Sequence, residues 1–240
     1  MISLDDATSA IYSAFLVAEE DTRSSFRGLV EVIERHGLFM ELYTDRGSHY
    51  FHTPEAGGKV SKTQLTKVGR ALKQLGNSLP SGRQKPDPWG HIPAYSPEAR
   101  GRCERAFRTL QDRLPKELAL AGITTVEAAN RYIREVYLGE HNGRFAIPAE
   151  EPAAVFVKVP EALWRDVLCI QEERRVGNDN CVRWHGRSLQ IPPTPLRPHL
   201  VRATVRVHDY PDGTLAIFKG PQRLASVPPA AAASDEDLAA

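Results

Sequence analysis

Cysteine is scarce in this chain: Cys103, Cys169 and Cys181 are the three among 240 residues. None forms a C-x-x-C pair, which excludes a disulfide scaffold and a cysteine-rich zinc site and suits a reducing, cytoplasmic compartment. Long apolar runs are missing too. None approaches the roughly 18 residues of a membrane span, and the N-terminus has no basic-then-apolar leader. Net charge is almost absent, 31 Lys and Arg against 30 Asp and Glu, so total charge singles out no partner. What is present is 41% hydrophobic residues, enough to fill the core of one large domain or two modest ones.

The charge is unevenly placed. Residues 1–58 hold 4 basic and 10 acidic side chains, whereas residues 59–118 hold 13 and 5, a local net of +8. Such a block is either a solvated helix face or the electrostatic footprint of a phosphate-backbone binder.

Local patterns predict an α/β layer protein. Met1–Leu4 is short and β-tolerant, and Ala10–Val17 reads as a buried strand. A helix over 22–35 follows, with Asp21 or Thr22 as N-cap, Phe26, Leu29, Val30 and Ile33 as its stripe, and Gly37 as its C′ residue. Phe39–Thr44 is a second buried strand that delivers Asp45 at its tip. Ser61 and Gln64 form a capping box for a helix whose stripe is Leu65, Val68, Leu72 and Leu75 and which carries Lys62, Lys67, Arg70 and Lys73. Residues 77–90 read as a Pro/Gly-rich loop and 91–95 as a short strand. Ser96-Pro97 opens a helix to about Leu114, with Cys103, Phe107, Leu110 and Leu114 inward and Pro115 ending or kinking it. Thr124 and Glu127 cap a helix to about Leu138, and 140–145 is a turn.

After Ile147 the composition changes. Residues 146–170 read as a linker with a short helix at 160–168. Three β runs, 180–191, 200–209 and 214–218, make a small all-β barrel module over 171–226. Residues 227–240 form a low-complexity tail.

Two acids carry the most interesting chemistry. Asp45 ends a strand, and Glu104 lies one position past Cys103, so it borders the stripe that packs on the sheet. Carboxylates at a strand end and on a packed helix suit hard divalent cations, although an exposed loop Asp and a Glu paired with Arg100 or Arg108 satisfy the same spacing. His36, His49 and His52 read as ordinary histidines rather than a metal cluster. Tyr95 and Trp89 read as packing residues before base-stacking ones. Cys103 reads as core, with no histidine placed to activate it.

The segments LYTDRGSHYF at 42–51, TQ at 63–64 and SPEARGRCERAFRTLQDRL at 96–114 resemble the catalytic core of DDE transposases, most of all the bacterial insertion-sequence group ISNCY within the retroviral-integrase-like superfamily. DDATS at 5–9 and HNGRF at 141–145 fit the same pattern. The resemblance implies an RNase H-like core over 1–145, with Asp45 and Glu104 as the second and third acids of the triad. They would be catalytic and metal-binding residues for two Mg²⁺ or Mn²⁺ ions, in phosphodiester hydrolysis and strand transfer. It implies a barrel that assists DNA binding, a homo-oligomer on double-stranded DNA, and phosphate contacts from Arg46, Lys62, Lys67, Arg70, Lys73, Arg100, Arg102, Arg105 and Arg108. Two departures stand out. The family's first strand, with its Asp, has no counterpart here, and residues 77–90 look like an insertion that can disturb the strand near Ile92. The expected protein is a transposase core inactive as this chain. The alternatives are a non-catalytic DNA-binding or subunit-poisoning fragment, and a decayed copy.

Overall fold

A computed structural model describes residues 1–55, 58–61, 63–77, 90–96, 100–151, 156–193 and 199–229. The chain divides into two units, Met1–Val167 and Leu168–Ala240.

The first unit begins with β1 (Ile2–Leu4) and β2 (Ile11–Ala14), an antiparallel pair. Helix α1 (Thr22–Arg35) follows, capped as its sequence predicts. The Asp21 carboxylate accepts from the Ser24 amide, the Ser24 hydroxyl answers the Asp21 amide, and Gly37 takes φ 108° past the end. Its buried stripe includes Phe26, Leu29, Val32 and Ile33, so Val32 takes the inward place expected of Val30.

β3 (Glu41–Thr44) pairs in parallel with β4 (Gly90–Pro93) along its whole length, so the strand around Ile92 is intact despite the long loop before it. Between them lies α2 (Lys67–Asn77). Its start is a correction: the Ser61 hydroxyl accepts from the amides of Thr63 and Gln64 in a local turn and does not cap the helix. Thr66 caps instead, because its hydroxyl accepts from the Gly69 amide while donating to the Tyr50 carbonyl, which ties the helix start to the strand-tip loop. Val68, Leu72 and Leu75 are buried, and Leu65, outside the helix, is exposed.

α3 (Gly101–Leu120) runs straight past Pro115. The carbonyl that Pro115 leaves without a donor belongs to Gln111, and both residues face solvent, where water replaces the lost bond. α4 (Val126–Tyr132) starts one residue later than expected, with Thr125 accepting from the Ala128 amide. A π-helical turn, Ile133–Tyr137, leads into α5 (Leu138–Phe145), so the predicted turn at 140–145 is helical.

The reason is tertiary. Asn142 accepts from the Ile11 amide (2.8 Å) and donates to the Ile11 carbonyl (2.9 Å), while Asn130 does the same for Leu16 (2.6 and 3.0 Å). Twelve residues of ideal α-helix would leave the two asparagines about 120° apart around the axis; one inserted π residue brings them to about 20°. The π turn thus lets both amides dress the outer edge of β2. Ile11, Ala14, Leu110, Leu114, Ile133, Tyr137 and Leu138 form the core beneath.

The stretch read as linker is partly folded onto this unit. Val157 exchanges backbone bonds with Leu38, a Cβ on Gly37 would meet the Val157 carbonyl at 2.7 Å, and α6 (Glu161–Trp164) buries Trp164.

The second unit is an open antiparallel sheet in the order β10-β9-β8-β5, built from β5 (Ile170–Arg175), β8 (Thr204–Asp209), β9 (Leu215–Lys219) and β10 (Gln222–Val227), plus a hairpin of β6 (Cys181–Trp184) and β7 (Arg187–Gln190). No sheet closes among the described residues, so the barrel expected here is not formed by them. The run at 180–191 is this hairpin rather than one strand, because His185 and Gly186 both adopt positive φ (40° and 78°), as a two-residue I′ turn requires. Val227 belongs to β10, and the tail from 230 lies outside the described residues.

Candidate functional site

Buried Thr44 anchors the tip of β3. Its hydroxyl bonds to His91 Nε2 on β4 (2.9 Å) and to the Asp45 carbonyl (3.0 Å). His91 stacks on Phe51 at 4.0 Å, and burial pushes its pKa down to about 4, so it sits there neutral. Asp45 then turns back on the loop. Its Oδ1 accepts from the Gly47 amide at 3.0 Å, and a Cβ on Gly47 would stand 2.9 Å from the His49 ring, so glycine is what fits. Asp45 Oδ2 accepts from Arg100 Nη1 at 3.1 Å.

Arg100 is the residue just before α3, and its other nitrogen donates to Cys103 Sγ at 3.3 Å. Burial raises the Cys103 thiol pKa, in keeping with a core residue and not a nucleophile. One turn on, Glu104 lies exposed. Its carboxylate forms no hydrogen bond or ion pair among the described residues, so the expected pairing with Arg100 or Arg108 is not made. Arg102 pairs instead with Asp6, 3.5 Å away at the exit of β1. Neighbouring Asp5 is consumed locally, accepting from the Thr8 amide and hydroxyl (3.1 and 2.6 Å), which gives DDAT a structural task as a turn.

Asp45, Arg100 and Glu104 line a cleft of about 800 Å³ whose sides are β1 and β3 and whose other walls come from α1 and α3. The fold therefore brings the two predicted acids to one cavity. It does not bring the whole basic set there. Lys67, Arg70 and Lys73 of α2 do not line the cleft, and Arg70 bonds to Gln74 and to the Val167 carbonyl. Arg46 donates to the Gly58 carbonyl and lies over the ring of Tyr95 at 4.9 Å; that ring is exposed, not packed inward. Arg105 and Arg108 are exposed on α3. Lys62 and Trp89 lie outside the described residues. His36, His49 and His52 do not converge, and no cluster of three metal-ligating side chains exists among the described residues.

A pair of divalent ions needs carboxylate oxygens turned toward them. Both Asp45 oxygens are turned to N–H donors, one of them a guanidinium, so the described donor set does not fit such a centre.

Sequence relatives point the same way as the strand-tip acids. The chain is 30% identical over 224 residues to y4bF, a Sinorhizobium fredii protein named a transposase, across 92% of this chain and 46% of that protein. It is 27% identical over 187 residues to the transposase for insertion sequence IS1202 of Streptococcus pneumoniae, across 78% and 37%. The chain belongs with bacterial transposases. It spans less than half the length of each of these two transposases. No protein-family model matches it. Among the described residues, no helix is long and apolar enough to cross a membrane.

The residues that sequence reading missed as partners are those of this transposase relative's scaffold. Arg100 reads as a phosphate ligand from its charge, yet it holds Asp45. Asn142 reads as a turn residue before Gly143, yet it carries β2. Polar amides twelve apart on otherwise amphipathic helices were the available signal.

Proposed function

We propose that this chain acts in DNA transposition as the DNA-contacting core portion of a transposase, on an RNase H-like arrangement of β1–β4 with α1 and α3, and that alone it carries out no strand transfer. The observation behind the inactivity is the Arg100–Asp45 ion pair. A guanidinium occupies the carboxylate that the resemblance assigns to Mg²⁺ or Mn²⁺, and no third acid stands beside Glu104. The cationic groups left to meet DNA phosphates are those that point outward, Arg105 and Arg108 on α3 and Lys73 on α2. Binding through them is weak and indifferent to sequence, because phosphate contacts position a duplex without reading it.

The test combines a labelled 30-base-pair duplex, supercoiled plasmid and the purified chain with Mg²⁺ or Mn²⁺. Retarded duplex whose affinity falls with salt, without joined product, is the expected result. Arg105→Ala with Arg108→Ala lowers the salt slope by about two contacts. Joined product that disappears with Glu104→Gln overturns the inactivity, and no duplex binding at low salt overturns the DNA-contacting role.

A further inference from the structure

The four strands of the first unit form two separate pairs, and one cleft lies between them. β1 has a strand on one side only, and so has β3, among the described residues. The far edge of the β1–β2 pair is already dressed by Asn130 and Asn142. The remaining edge, β1, lines the cleft along its full length, and β3 lines the same cleft along its full length.

Backbone direction shows what these edges offer. Met1 and Asp5 exchange backbone bonds with Phe15 and Ala10 of the β2 side, so by alternation Ile2 and Leu4 turn their amides and carbonyls the other way. The carbonyls of Met40 and Thr44 accept from Gly90 and Ala94 on the β4 side, so Tyr43 turns its peptide groups away from β4. Two strand edges thus present peptide hydrogen-bonding groups to a single space.

The space has the size of a strand. One strand in a sheet occupies about 4.8 Å laterally, about 10 Å through the sheet and about 3.3 Å per residue, or roughly 160 Å³ per residue. The 800 Å³ cleft therefore holds about five residues, against four in β3 and three in β1. Leu29 and Val32 of α1 and Phe107 of α3 give it apolar walls, while the Arg100–Asp45 and Arg102–Asp6 pairs stand at the strand exits.

We propose that the cleft between β1 and β3 receives one extended, largely apolar peptide strand of about five residues, supplied by a longer transposase polypeptide. The source follows from the relatives: more than half of each of the two transposases lies outside its match with this chain. Apolar walls and peptide edges suit a strand and offer a nucleic acid or an anion nothing specific.

The test uses the full chain without DNA, so its outcome is separate from that of the DNA-binding reading. Fluorescein-labelled 15-residue peptides are tiled through the parts of y4bF outside the match, and binding is followed by anisotropy. One group of overlapping peptides is expected to bind. In that complex the Ile2, Leu4 and Tyr43 amides should exchange hydrogen at least about tenfold more slowly, since each gains a ladder bond. Leu4→Pro and Tyr43→Pro remove only a cleft-facing donor and should weaken binding by about tenfold or more. Amide protection in the unsubstituted chain decides the matter if either variant fails to fold. No binding by any peptide up to about 1 mM (a ΔG weaker than roughly −4 kcal/mol), or binding without protection of these amides, overturns the proposal. So does concentration-dependent dimerisation of the free chain that protects the same amides, which assigns the slot to a second copy.

Discussion

The two units hold their strands by different means. In the second, each strand of the four-stranded sheet is bonded to the next along a continuous antiparallel ladder, and the face beneath is apolar: Val176, Val182, Trp184, Leu189, Val205, Val207, Leu215 and Ile217 pack together. In the first, strands come only in pairs, and side chains do the work of missing neighbours. Asn142 and Asn130 dress β2, the Asp21–Ser24 box starts α1, and ion pairs to Arg100 and Arg102 tie the exits of β3 and β1 to α3. A ladder distributes cohesion over many equivalent bonds. A side-chain scaffold concentrates it in a few, and it leaves a cleft where a ladder would have had a strand.

Breaking the second unit takes a core deletion. Ile217→Ala should remove about 3–5 kcal/mol, because the site is fully buried and closely packed. Urea unfolding should show the loss, while amide exchange in 1–167 stays at its original rates if the contrast between the units holds.

The next largest effect is a pH effect on the first unit. The His91 pKa is lowered to about 4 by burial, so the native protein leaves it neutral while the unfolded chain takes up a proton from about pH 6.5 downward. Stability present above pH 6.5 should therefore fall as pH drops toward 4, by up to about 3 kcal/mol. Urea midpoints at pH 7 and 4.5 should differ less in His91→Gln than in the unsubstituted chain, and an equal difference would sink the assignment.

A sharper test of the side-chain scaffold is Asn142→Ala, expected to remove about 2 kcal/mol by orphaning two Ile11 peptide groups. Deleting Val136, which takes the extra residue out of the π turn, should swing Asn142 off β2. The double variant should then lose little beyond the larger single loss, a non-additivity that a double-mutant cycle reads directly. At the small end, Arg183→Ala breaks an exposed ion pair to Asp179 and should move stability by no more than about 0.5 kcal/mol.

Much of this was legible beforehand where the cause was local. The cap and stripe of α1 and the buried positions Val68, Leu72 and Leu75 follow from short-range periodicity and capping chemistry. So does the Tyr210–Gly213 turn, where the Gly213 amide donates to the Tyr210 carbonyl at φ 81°. The hairpin centred on His185-Gly186 was missed because its turn signal sits inside an unbroken β-prone run. Strands β5 and β10 were missed because their charged residues hide the alternation: Ile170–Arg175 reads IQEERR.

At the site, sequence placed Asp45 on a strand tip and Glu104 beside a packed stripe, and both line one cleft. What each carboxylate does was not legible. The same arginine-rich helix start could have met phosphate, Glu104 or Asp45, and local spacing favoured none of them.

By itself, then, the sequence determined the helices with clean caps, the residues that go inward, the strand-tip position of Asp45 and the kinship with transposases, since these rest on periodicity and on residue identity along the chain. Only the tertiary structure decided that Arg100 clasps Asp45 across 55 positions, that Asn142 completes β2 across 131, and that β1 and β3 border one cleft. Those are meetings between polar groups far apart in the chain. Their partners are chosen by where the packed core sets the backbone, which no window of neighbouring residues contains.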